Sequence, residues 1–546
     1  MSTSIQLPRI AFVIPRYLPE MVGGAETLLQ GYAEQLREHG YLVEVLTTCT
    51  DQLGAWNNAL PPGPDVVRGV PVRRFLTDIG NRRRYWQLAE ELSSAGQLEY
   101  RKQRALLHES LNSAELVSYL QRSIGDYEAV IVGPYAFGLA FAAAQAAQGK
   151  AIWVPCLHDE PLAHCTVVRE ALEEARGILF NAEAEQCFAR EQLGLANPHA
   201  AVVGCGFPSD APRGDGARFR AQHQVSGPLL LYAGRIIPEK NVGQLVSLFE
   251  RYRQRFHPDA TLALVGERSG VDVERPGVRA LGRLPAETLR DAYAAADLFC
   301  QPSRNESFSI VIMESWLQQR PVLVHDDCAV TREHVARSQG GWTFSDFESF
   351  AAALSAAIDQ PQAAAERGRL GYEYVQQHYA WPVVFGRLAG ALEQLLAERT
   401  LVEQLSQRGI RRALEFTREH YQARLGDLVE EAVPEERRLS IDQLLTPLRH
   451  QAAIGLPQHR VESRARLIGP IIAWLRRNLT SHLKEPYVDV IVQQQASFNA
   501  ELIERLQHAL EYSIREQRRM ERQIRLLESQ LKAAQHRTDS SEPPTS

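Results

Sequence analysis

Residues 229–241 read LLLYAGRIIPEKN. The five apolar residues at 229–233 fit a strand buried on both faces, and Gly234 ends the run. Arg235 and Lys240 follow at once. A buried strand that stops at glycine and gives way to cations marks the carboxyl edge of a parallel sheet, where open α/β sheets bind ligands. Two cations there suit a diphosphate, Arg through its planar fork and Lys as a point charge. The plainer reading is a pair of solvated surface charges.

The same pattern extends in both directions from this stretch. Upstream, strand-like runs lie at 10–15 and 42–47 and begin again at 129, 151, 177 and 200. Between the first two, residues 25–39 read as a helix with Leu28, Leu29, Tyr32 and Leu36 on one face. After the Gly204-Cys205-Gly206 break the series restarts at 229–233 and repeats at 261–265, 298–301 and 321–324. Alternating β and α segments of this kind imply parallel sheets covered on both faces. Two series in tandem predict two doubly wound, Rossmann-like α/β domains facing a cleft, over 1–205 and 206–396. Strand signals then thin out, which predicts a helical extension over 397–490. A coiled coil over 491–535 follows from a seam through Ile503, Leu506, Leu510, Ser513, Gln517, Met520, Ile524, Leu527, Leu531 and Ala534. Residues 536–546 read as a disordered tail.

The 546 residues are 45% hydrophobic and 23% charged, so disorder is excluded as the main state. A net charge of −6 argues against a nucleic-acid partner. The start, MSTSIQLPRI, has neither a basic nor an apolar leader segment, and the seven cysteines form no CxxC pair. Both point to the cytoplasm. The charge-free stretch 129–149 contains Gly133-Pro134 and reads as strand, turn and helix rather than a membrane span.

Three further motifs carry chemistry. Gly23-Gly24-Ala25-Glu26 joins the first strand to the first helix, where bare backbone and a helix N-terminus favour an anion. Glu306 and Glu314 stand eight apart at a loop–helix junction. A helix from about Ser309 makes the backbone N–H groups of Phe308, Ser309 and Ile310 first-turn donors for phosphate oxygens, with Glu306 near ligand hydroxyls and Glu314 near a ribose diol. The plain reading is a helix with favourable acidic residues at its start. His158 follows the strand that begins at 151 and is expected to face the cleft, with a structural histidine as its rival. Zinc finds no suitable spacing in Cys156-Leu-His158 and His164-Cys165, nor in His325-Asp326-Asp327.

GGAE near the start, AGRIIPEKN, PSRNESFSIVIMES and the Trp381 segment together resemble the retaining GT-B glycosyltransferases of family 4, the glycosyl transferases group 1, over residues 8–397. The resemblance implies a sugar nucleotide held mostly by the second domain. Arg235 and Lys240 would then bind and stabilise the diphosphate, Glu306 and His158 would contact the donor sugar, and Glu314 the ribose. Gly23, Gly24 and Gly234 would let the backbone approach the donor, and Gly282, Arg283 and Leu284 would lie by the base. The family often has glycines around the Phe of this loop, where this chain has Ser307 and Ser309.

The resemblance implies a metal-independent hexosyltransferase with no cofactor, and no D-x-D sequence is present. Its expected partners are a sugar nucleotide and a glycan or lipid-linked acceptor, in cell-envelope or exopolysaccharide synthesis. A homo-oligomer through the coiled coil is expected too. Asn81-Arg82-Arg83-Arg84-Tyr85-Trp86 in the first domain suits an anionic acceptor or solvent, and residues 467–477 suit peripheral attachment at the inner face of a membrane. A catalytically silent scaffold organised by the coiled coil and a fold-sharing epimerase or phosphorylase are the alternatives.

Overall fold

A computed structural model describes residues 8–20 and 23–413, with side chains to residue 397. The chain divides at Leu396, and the first unit carries both sheets. The seam expected over 491–535 lies outside the described residues.

The first sheet has eight strands. These are β1 (Arg9–Val13), β2 (Leu42–Thr48), β3 (Gly63–Val67), β4 (Val70–Phe75), β5 (Ala129–Val132), β6 (Ala151–Trp153), β7 (Gly177–Phe180) and β8 (Ala200–Val202). Their order is β3-β4-β2-β1-β5-β6-β7-β8, parallel except for the β3–β4 hairpin. Strands β1 and β5 are apolar and almost wholly buried, as strands covered on both faces must be. The second sheet contains β9 (Leu229–Ala233), β10 (Thr261–Val265), β11 (Val278–Gly282), β12 (Leu298–Gln301), β13 (Val322–His325) and β14 (Gly341–Phe344). All its neighbours are parallel, in the order β11-β10-β9-β12-β13-β14. These are the two Rossmann-like domains the sequence predicts.

Chain order reverses between β9 and β12, which pair through Leu298↔Leu230 and Phe299↔Leu231. In doubly wound sheets the crevice opens at such a switch point. The first sheet has its own reversal between β1 and β5.

Several elements between β2 and β5 lack the strand signal that drove the sequence reading. The β3–β4 hairpin ends the sheet, and most of β3, GPDVV, is exposed. Three helices follow, Arg82–Ala95, Tyr100–Glu109 and Ala114–Ser123. The charge-free stretch 129–149 holds β5, a turn and the helix Gly138–Ala146, and no described helix is long and apolar enough to cross a membrane.

The first turns of the helix Trp381–Ala413, up to residue 396, come after the second sheet yet pack on the first domain. Trp381 sits so close to Gly31 that a Cβ there would lie 2.5 Å from its ring. His39 stacks on Phe385 at 3.6 Å, and Arg176 Nη2 donates to Leu395 O at 2.7 Å. Elsewhere Ala184 N donates to Glu333 Oε2 at 2.6 Å and Arg337 pairs with Glu183 at 2.9 Å, tying the two domains together.

Candidate active site

The loops behind β9 and β12 meet at the switch point. Gly234 has φ +146°, open in practice to glycine alone, and lets the chain turn off β9. A short 3₁₀ turn, Pro238–Lys240, then sets Lys240 beside the β12 loop. Asn241 fixes that approach, since its Nδ2 donates to Pro302 O at 3.1 Å. The result is an ion pair of 2.6 Å between Lys240 Nζ and Glu306 Oε1. Arg235 is exposed on the same loop and has no ion-pair partner among the described residues.

Burial pushes the Glu306 carboxyl up, but the Lys240 ammonium beside it, with smaller help from His158 and Ser303, holds it below the ordinary range. His158 follows β6 of the first domain, and its field joins this group. Burial first, then the Lys240 charge, lower its pKa, while Glu306 and Glu160 oppose them. The imidazole is therefore neutral at neutral pH and within electrostatic reach of the pair, able to donate or accept a hydrogen bond. The neighbouring backbone crosses the cleft directly, with Asn305 Nδ2 donating to Asp159 O at 3.0 Å.

The helix after Glu306 runs Ile310–Leu317, one residue later than expected. Ser309 precedes it at φ 73°, so Phe308 and Ser309 belong to the loop and not to the first turn. Phe308 is buried against Phe207, His334 and Tyr379, which anchors that loop. Glu314 lies inside the helix and accepts from Tyr293 Oη at 2.8 Å, with burial raising its pKa.

Gly23 and Gly24 lie on the first-domain side. A Cβ on Gly24 would stand 3.8 Å from Ile310 Cδ1, so the two helix starts face each other. The helix Gly24–Glu38 already has a buried carboxyl of its own at its start, however. Glu26 is 4% exposed, accepts from its own backbone N–H and pairs with Arg16 Nε at 3.3 Å. Burial raises its pKa, while Arg16 and Arg235 oppose the rise. Sequence reasoning quoted Glu26 only within its motif and passed over Arg16. Its place at the third helical position is the local signal, and its burial is tertiary.

Gly282, Arg283 and Leu284 lie at the end of β11, two strands from β9, where Gly282 O accepts from Gly266 N at 2.8 Å and Gly266 in turn abuts Gly234. Arg283 there pairs with Glu267 at 3.3 Å, with both side chains exposed. The basic run at the start of the helix Arg82–Ala95 is largely engaged within the chain. Asn81 caps that helix, Arg82 donates to Gly54 O and Ala55 O, and Arg84 pairs with Glu109. Near His158, His164 pairs with Asp159 at 2.8 Å.

A cation–carboxylate pair, an exposed guanidinium and a neutral imidazole at converging strand ends can bind a diphosphate and a polyhydroxyl group together. Residues 227–360 match the family model described as Glycosyl transferases group 1. The GDP-mannose-dependent alpha-mannosyltransferase of Mycolicibacterium smegmatis is 27% identical over 416 residues, 72% of this chain and 99% of that protein. Glycogen synthase of Mycobacterium tuberculosis is 31% identical over 184 residues, 31% of this chain and 44% of its own. In fold, the chain is similar to sucrose-phosphate synthase from Thermosynechococcus elongatus, with a TM-score of 0.55 at 17% identity over 72% of this chain and 100% of that one. Anabaena HepE, solved in complex with UDP and glucose, gives 0.53 at 18% identity over 71% and 100%.

Proposed function

We propose that the chain, whose residues 227–360 match the family model described as Glycosyl transferases group 1, moves a hexosyl residue from a nucleoside diphosphate sugar to a glycan or lipid-linked acceptor with retention of configuration. The observation that carries this reading is the Lys240–Glu306 pair at the switch point, whose charges reach His158 of the first domain. Arg235 and Lys240 take the diphosphate, Glu306 and His158 hold the sugar, and Glu314 takes the ribose. The bond from the anomeric carbon to the diphosphate oxygen breaks as charge builds on the leaving group, which the two cations stabilise. The acceptor oxygen bonds to the same face of that carbon and gives its proton to the departing phosphate. No metal or cofactor takes part in this scheme.

GDP-mannose is the first donor to test, because a relative matched over nearly its whole length is named for it. The setting is cell-envelope or exopolysaccharide synthesis, in the cytoplasm or at the inner face of a membrane, by an oligomer joined through residues 491–535. Thermal shift against a panel of sugar nucleotides is the test. A rise in Tm with one donor and its nucleoside diphosphate, lost in Lys240→Ala, is expected. No response to any member of the panel would contradict the reading.

A further inference from the structure

Gln301 ends β12 as a buried amide, 4% exposed, where the three residues before it are apolar. A buried amide is retained where its hydrogen bonds are used. Its Nε2 donates to Glu306 Oε1 at 3.0 Å and lies 3.4 Å from Ser309 Oγ. The Glu306 oxygen it meets is the one that Lys240 reaches at 2.6 Å. Two donors on one carboxylate oxygen fix both its position and its rotation.

Two further features at the same place disfavour the fold unless they serve the site. Ser309 holds φ 73°, a conformation that side chains rarely adopt. Such a residue persists only where its surroundings over-determine it, and the Gln301 amide is among the groups touching it. Gln301 Oε1, meanwhile, is buried with no hydrogen-bond partner. Turning the amide over would set that carbonyl against the Glu306 carboxylate, so the carboxylate dictates which way it faces.

We propose that Gln301 is a positioning residue: it holds Glu306 and the Ser309 turn in the geometry the donor sugar meets. The proposal rests on the reading of Glu306 as the group that contacts the donor sugar. Lys240 alone would leave that carboxylate free to follow the ammonium when a diphosphate draws it away. With Gln301 in place, Glu306 keeps one fixed donor throughout.

The test is Gln301→Met in the full chain, a change that keeps the length and removes the donor. With GDP-mannose as the probe, kcat for donor turnover falls about tenfold while KM stays within about threefold, the split expected when a hydrogen bond to a charged group matters in the transition state. The acid limb of the pH–rate profile also moves to higher pH, because the Glu306 carboxylate loses a donor that stabilised it. An unchanged kcat and acid limb would overturn the proposal. If the wild type turns over neither GDP-mannose nor UDP-glucose, the transferase reading fails instead, and thermal unfolding decides the role of Gln301 by itself. There the Tm loss from Gln301→Met should shrink in a Glu306→Ala background. Strictly additive losses would overturn it.

Discussion

Lys240 Nζ lies 2.6 Å from Glu306 Oε1, although the two residues are 66 apart in the chain. The distance is closed by topology: β9 and β12 are neighbours at the switch point, and each loop leaves its strand at the same edge. The pair is mostly shielded, with side chains 21% and 11% exposed, so each charge depends on the other.

That dependence predicts non-additivity. Lys240→Ala should destabilise the protein by roughly 1–3 kcal/mol, less than for a fully buried pair, by leaving the Glu306 carboxylate uncompensated. Lys240→Ala combined with Glu306→Ala should recover part of that loss in denaturant unfolding. Equal and additive losses would mean that the pair is not coupled.

Arg235 is exposed on the same loop, so its removal should affect binding more than folding. Arg235→Ala is expected to weaken the matching nucleoside diphosphate by about 10–100-fold, from a charge-assisted bond of about 1.5–3 kcal/mol, with Tm unchanged. Calorimetry with unaltered affinity would remove Arg235 from the diphosphate site.

Glu185 links stability to pH at the loop that carries His158. Its carboxyl accepts from Leu157 N and Asn181 N, both at 2.6 Å, yet burial pushes its pKa up to about 8. The folded state therefore binds this proton more tightly than the unfolded state, whose carboxyl titrates near 4.5. Its contribution is complete below about pH 4.5 and is lost as pH rises through about 8, by a few kcal/mol. Glu185→Gln should flatten that slope between pH 5 and about 8 in thermal unfolding. A slope unchanged by the substitution would contradict the assignment.

Self-association through residues 491–535, which lie outside the described residues, is an expectation from the heptad spacing of the sequence alone. Pairing would bury a stripe from Ile503 to Leu531 worth about 25 cal/mol per Å² of apolar surface, with Ser513 and Gln517 weakening its middle. Light scattering should find the full chain larger than a monomer and a chain ended near residue 490 monomeric but active. Two monomers at micromolar concentration would exclude association through this segment.

The sequence exposed those parts of the fold whose signal is local. Runs such as 229–233 and 298–301 are apolar because both faces are buried, and the charged loops behind them stand out by contrast. The hairpin at 63–75 did not stand out, because its outer strand carries Pro64 and Asp65 and faces water. Within the site, Glu306 and Lys240 were legible from their motifs. The roles of Gln301 and Glu26 were not, since a polar residue in a strand or first helical turn declares its partners only once the chain is folded. Ser309 shows the intermediate case: its departure from glycine was visible, while its positive φ and the amide beside it were not.

The central claim is that the Glu306 site turns over a sugar nucleotide, and nucleoside diphosphate release from GDP-mannose and UDP-glucose by wild type and Glu306→Ala measures it directly. The account predicts release from at least one donor by the wild type and a rate lower by about 10²-fold or more in the variant, with Tm of the variant showing it folded. Release at equal rates by both proteins, or from neither donor by the wild type, would contradict it.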